Sequence, residues 1–159
     1  MKTNSAPTQR ELFLAEIECT VPWHRLRALV EPAYMANSGR RPHRLELDRM
    51  LRIFFLQRWF RLTDAAAREA ICDSNAMRSF VCLSADAVPE ESEIGRFRRL
   101  LAQSRIADLV IYAAERHLRA LGIAVAPGAI VDAVLINTSK AHAQAPYARI
   151  IDTAGATAG

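Results

Sequence analysis

The chain has 159 residues, room for one domain or for one domain and part of a second. Hydrophobic residues make up 51% of it and charged residues 24%, which excludes a disordered polypeptide, and the longest apolar runs are too short to cross a bilayer. Twenty-one Lys and Arg against seventeen Asp and Glu give a net charge of +4, which permits a polyanionic partner without demanding one.

Lys2 and Lys140 are the only lysines, so the middle of the chain carries its positive charge as arginine. The planar guanidinium fork suits phosphates and guanine edges, although a GC-rich genome also favours arginine by default. The cysteines, Cys19, Cys72 and Cys82, are odd in number and form no C-x-x-C pair. They read as reduced, partly buried small hydrophobes of a cytoplasmic protein. The first sixteen residues hold Lys2, Arg10, Glu11 and Glu16 and no long apolar run, so no signal peptide is expected.

In chain order, residues 1–10 are polar and expected to fray. Leu12, Phe13 and Ile17 begin a helical pattern. Pro22 and Trp23 open a second, with Leu26, Leu29 and Val30 on one face, and Pro32 is expected to close it. Residues 37–42 have loop chemistry. The strongest helix signal runs from Leu45 to Phe60, where Leu47, Met50, Leu51, Phe54, Phe55 and Trp59 form a wide apolar stripe. Asp48 and Arg52 stand four apart on its outer side and are expected to pair. Thr63 is a plausible N-cap for a helix from Asp64 to about Ile71, and Met77, Phe80 and Val81 mark another short turn of core after a break at Asp73-Ser74. Pro89 precedes a helix over 90–103, acidic in its first turn, with Ile94, Phe97, Leu100 and Leu101 inward. A last helix over 105–121 puts Ile106, Leu109, Val110, Ala113, His117 and Leu121 inside and stops at Gly122. After Pro127-Gly128 the pattern changes: residues 129–136 are apolar and β-branched apart from Asp132, a buried strand. The tail beyond is rich in Ala, Thr and Gly, with little order expected.

The organisation expected is therefore mainly α: a compact multi-helix bundle over 11–123, one orphan β-strand within 124–140, and a disordered tail over 141–159. A lone strand cannot satisfy its own backbone groups, so it signals the start of a second domain.

Three features bear on chemistry. Residues 40–61 hold seven arginines against Glu46 and Asp48, a local excess of five positive charges, and Arg96, Arg98 and Arg99 form a second cluster. Arg40, Arg41, Arg44, Arg52, Arg58, Arg96, Arg98 and Arg99 are the candidate DNA contacts, suited to phosphates. A solvated surface explains the same charge equally well. The segments from Thr63 to Phe80 resemble a helix-turn-helix, and the basic helix after Pro89 suits a groove, but ordinary bundle packing produces such breaks too. Asp132, in mid-strand, is costly to bury unpaired; a divalent metal is one partner for it, and solvation at a strand end is the other explanation. The four histidines share no ligand spacing, so zinc is not expected.

An ordered series of short matches carries a resemblance. It runs from Pro22-Trp23 and Val30-Glu31-Pro32-Ala33-Tyr34 through Gly39-Arg40-Arg41-Pro42, Met50-Leu51-Arg52-Ile53 and Gln57-Arg58-Trp59-Phe60. It continues with Leu62-Thr63-Asp64, Met77-Arg78-Ser79-Phe80, Leu83-Ser84 and Phe97-Arg98-Arg99-Leu100-Leu101, and closes at Ile130-Val131-Asp132-Ala133. Over about residues 11–137 the chain resembles the InsH-type, insertion-sequence-five family of DDE transposases. The resemblance implies a helical DNA-binding region ahead of a ribonuclease-H-like catalytic domain, whose first strand would carry Asp132 as first acid of the catalytic triad and as a ligand of Mg²⁺. The stretch Pro89-Glu90-Glu91-Ser92-Glu93 departs from the family pattern, and the second Asp and the Glu are missing. The expectation is an amino-terminal fragment that binds transposon ends in duplex DNA, holds no cofactor and does not catalyse transposition. A second copy, or a full-length transposase, would be a further partner, and no membrane is involved. A structural remnant without a role, or a helical protein–protein interaction module, is the alternative.

Overall fold

The computed structural model describes residues 6–40, 43–84, 87–125 and 148–149. Seven helices are present among them: α1 (Gln9–Thr20), α2 (Trp23–Ser38), α3 (Arg44–Phe60), α4 (Asp64–Asp73), α5 (Asn75–Val81), α6 (Glu91–Gln103) and α7 (Ala107–Ala120). Two residues after α7, β1 (Ile123–Ala124), pair antiparallel with β2 (Ala148–Arg149). The chain is mainly helical, as its periodicity predicts. The strand expected over 129–136 lies outside the described residues.

Several helix boundaries follow from capping. Thr8 starts α1: its hydroxyl accepts from the Glu11 N–H, while the Glu11 carboxylate accepts from the Thr8 N–H at 2.7 Å, a reciprocal capping box. This places the helix start ahead of residue 11. Thr63 caps α4 as predicted, accepting from the Ala66 N–H. Ser74 ends α4 and caps α5 through Met77, so one residue makes the break between them.

Pro32 does not close α2. The helix continues to Ser38 and ends at Gly39, whose φ of 71° is the left-handed stop that glycine adopts without strain. Proline has no N–H to return to the carbonyl of Ala28. Both residues are exposed, so water can take that carbonyl. The extra turns are held from outside: the hydroxyl of half-buried Tyr34 donates to Glu46 on α3 at 2.7 Å.

α3 is the central helix. From Leu51 to Gln57 every residue is buried, because α2, α4, α5 and α6 all pack against it. The predicted stripe is therefore only part of its buried surface; Ile53 and Leu56 join it. Rings from four helices meet here: Phe13 stands edge-on to Trp59 at 5.3 Å, and Trp23 contacts both Phe55 and Phe80. The expected Asp48–Arg52 pair is absent. Asp48 accepts two hydrogen bonds from Arg27, and Arg52 turns inward.

α7 is rotated from the face predicted for it. Val110, Ala114 and Leu118 are its buried residues, while Leu109 and Leu121 stay exposed. Cys19 and Cys82 are also exposed, so only Cys72 fits the half-buried position expected of all three.

Candidate nucleic-acid interface

The eight candidate arginines separate into groups once the helices are in place. Arg52 is a core residue, 8% exposed. Its guanidinium lies over the rings of Trp23 at 4.6 Å and Phe80 at 5.4 Å, pairs with Glu18, and donates to the Phe80 carbonyl at 2.8 Å. A guanidinium so enclosed cannot reach a phosphate, which corrects its place among the contacts. Its position on α3 dictates this, since the helix is buried all round at that level.

Arg58 and Arg98 line a cleft of about 500 Å³ with Arg61 and Asp64, and both are engaged. Arg58 donates to Glu115 on α7 at 3.0 Å. Arg98 grips Asp64 at both oxygens, at 3.0 and 2.9 Å, and Gln57 donates to the same carboxylate at 2.8 Å. This knot ties α3, α4 and α6 together. The hydrogen bonds from Arg98 hold the Asp64 carboxyl below its ordinary value, against the opposing effect of burial, and Gln57 reinforces them. Gly95 completes the knot: a Cβ there would stand 2.9 Å from a carboxylate oxygen of Asp64, so the approach of α6 to Asp64 at this point suits a residue without a side chain.

Arg40, Arg96 and Arg99 meet across a second, larger cleft of about 950 Å³. The end of α2 and the first half of α3 form one wall, and α6 forms the other. Arg49, which charge counting notes without singling out, joins them here. It stands three residues after Glu46, and that spacing on α3 is the signal that would have placed both on the cleft side.

The acids of this cleft are committed within the fold. Glu46 accepts from Tyr34 and from Arg40 at 3.2 Å. The Tyr34 bond is the main cause that holds its carboxyl low, while burial, followed by that same bond, pushes the Tyr34 hydroxyl up. Glu93 accepts from the Glu90 N–H at the start of α6, and Glu90 pairs with Arg68. Arg96 and Arg99 are exposed, and among the described residues no carboxylate lies within ion-pairing distance of either. The cleft thus holds its negative charge in internal bonds and presents two uncommitted guanidiniums, with Arg40 and Arg49 on the facing wall.

Arg41, the side chain of Arg44 and Asp132 lie outside the described residues. Among the described residues no group of three or more His, Cys, Asp or Glu could hold a metal ion. No described helix is long and apolar enough to cross a membrane.

A family model matches most of the helical body. A model described as "Transposase domain (DUF772)" matches residues 3–100, which includes α1 to α5, most of α6 and every lining residue of the larger cleft but Gln103. No solved structure matches the chain significantly.

Proposed function

Because the chain belongs to the transposase-domain family DUF772, we propose that it binds duplex DNA at transposon ends, in the cytoplasm, as the DNA-holding part of a DDE transposase of the insertion-sequence-five type. The observation that carries the reading is the larger cleft, with Arg96 and Arg99 uncommitted on one wall and Arg40 and Arg49 on the other. Arginines without internal partners gain most from phosphate, because contact releases counterions from the DNA and breaks no bond in the protein. Arg41 and Arg44 remain proposed DNA contacts from the sequence alone. Arg40, Arg58 and Arg98 contribute less, since each would have to leave a carboxylate, and Arg49 would have to release the Cys82 carbonyl that its Nε–H bonds at 3.1 Å.

Of the triad that the resemblance implies, Asp132 stands in the matching context and is the proposed first acid, a ligand of Mg²⁺ in strand cleavage. A helical protein–protein module is the second reading, favoured by the exposure of Leu109, Tyr112 and Leu121 on or just after α7.

Titration of a labelled duplex across a series of salt concentrations separates the two. Each phosphate neutralised contributes roughly −0.9 to the slope of log K against log salt, so contact through four to six arginines gives a slope of about −3.6 to −5.4. Replacing Arg96 and Arg99 together with alanine should flatten it by about two. A folded chain with no affinity for duplex at low salt would leave the interaction module as the better reading.

A further inference from the structure

We propose that α6 reads base edges in the major groove, through a ridge formed by Ser92, Arg96, Arg99 and Gln103. The inference rests on the DNA-binding reading above and adds the kind of contact that α6 makes. Spacings of four, three and four residues set these side chains on one stripe of the helix, and all four are exposed. The orientation of that stripe is fixed. Ile94, Phe97 and Leu101 are buried on the other side, and Gly95 is closed against Asp64. Helix geometry therefore divides the run of arginines: Arg98 falls off the stripe and is bound to Asp64, while Arg96 and Arg99 stay on it. The Arg99 guanidinium lies back over Gly95, near enough to Asp64 for its charge to be felt but without an ion pair among the described residues. It is free to swing outward.

The residue types favour bases over phosphate alone. Arginine forks onto the O6 and N7 of guanine, glutamine pairs with the N6 and N7 of adenine, and serine bonds to several base edges. A surface that only neutralises phosphate gains no counterion release from a glutamine. The dimensions agree. Thirteen residues make a rod about 20 Å long and about 10–12 Å across, and the major groove is about 12 Å wide. With the ridge in the groove, one flanking strand would pass into the cleft, towards Arg40 and Arg49. Glu91 and Glu93 in the first turn repel phosphate, so the last two-thirds of α6 makes the approach and Ser92 stands at its margin.

The test offers the full chain a pool of duplexes with a randomised core and sequences those retained in a gel shift. Retained duplexes should share a short motif containing guanine. Arg99→Lys keeps the charge but loses the planar fork, so the salt dependence should hold while preference for one guanine falls roughly five- to a hundredfold. Gln103→Ala should relax a separate adenine position and leave the salt dependence unchanged. Both positions are exposed, and a wild-type circular dichroism spectrum confirms that each variant is folded. Salt-dependent binding with no enriched motif would overturn the ridge and leave the DNA reading standing. An enriched motif that neither variant alters would overturn it as well, by placing the reading elsewhere. Failure of the folded chain to retain any duplex at low salt would overturn both.

Discussion

Arg52 and Arg98 look alike in the sequence, each a basic residue near an apolar helical stripe, and neither is free in the fold. What distinguishes them from Arg96 is a carboxylate far along the chain: Glu18 stands 34 positions from Arg52, Asp64 stands 34 from Arg98, and Glu115 stands 57 from Arg58. Local charge counting cannot see such partners, which is why the eight candidates resolve into separate groups only in three dimensions. Arg52→Ala should destabilise the chain by about 2–3 kcal/mol, less than for a fully buried pair because Glu18 keeps access to water. The loss comes from the stacking on Trp23 and Phe80 and from the Phe80 carbonyl. Arg52→Lys should recover little of it, since an ammonium cannot stack on two rings and keep both hydrogen bonds. Urea midpoints check this, with unchanged duplex affinity for any variant that stays folded. A substitution that weakened DNA binding without lowering stability would return Arg52 to the interface.

At the level of elements, three helices were legible from local start signals, while the Thr8–Glu11 capping box that starts α1 went unread. Thr63 announces α4, Ser74 breaks it from α5, and Pro89 precedes α6, because a cap is chemistry within a few residues of the helix it starts. The end of α2 and the inward face of α7 were not legible. The first depends on Tyr34 reaching α3. The second depends on where α2 and α6 meet α7, which buries Val110, Ala114 and Leu118 and leaves Leu109 exposed. Gly95 sets two effects of opposite sign against each other on α6. Helix propensity alone favours Gly95→Ala by about 1 kcal/mol. The added methyl would stand 2.9 Å from an Asp64 oxygen that Arg98 also holds, and giving up charge-assisted hydrogen bonds costs about 1.5–3 kcal/mol. Gly95→Ala should therefore destabilise the native chain. In an Asp64→Ala background, where the obstructing oxygen is gone, the same change should stabilise it. A double-mutant cycle by urea unfolding reads the reversal directly, and additive effects would show that the knot does not govern the approach of α6 to α4.

For the molecule as a whole, the helical class was legible from periodicity, and the larger cleft was not, because its walls come from segments some fifty residues apart that only packing brings together. The core is drawn from Phe13 to Ile123, and every arginine of the cleft precedes Gln103. Beyond residue 125 the described structure adds the pairing of Ala148–Arg149 with β1, a ladder two residues long. Ile123 is 2% exposed, but β1 also packs against α7, so its burial does not rest on the ladder alone. Deleting residues 126–159 should leave the seven helices intact and shift the melting temperature by no more than about 5 °C, the effect of losing roughly 1 kcal/mol in a domain of this size. The same deletion removes Asp132 and leaves both cleft walls in place. Duplex affinity and its salt dependence should therefore match the full chain. Circular dichroism and the salt titration together decide the matter. Loss of helicity would mean that the segment supports the core, and intact helicity with lost affinity would move the DNA contact from the arginine cleft to the part of the chain that carries Asp132.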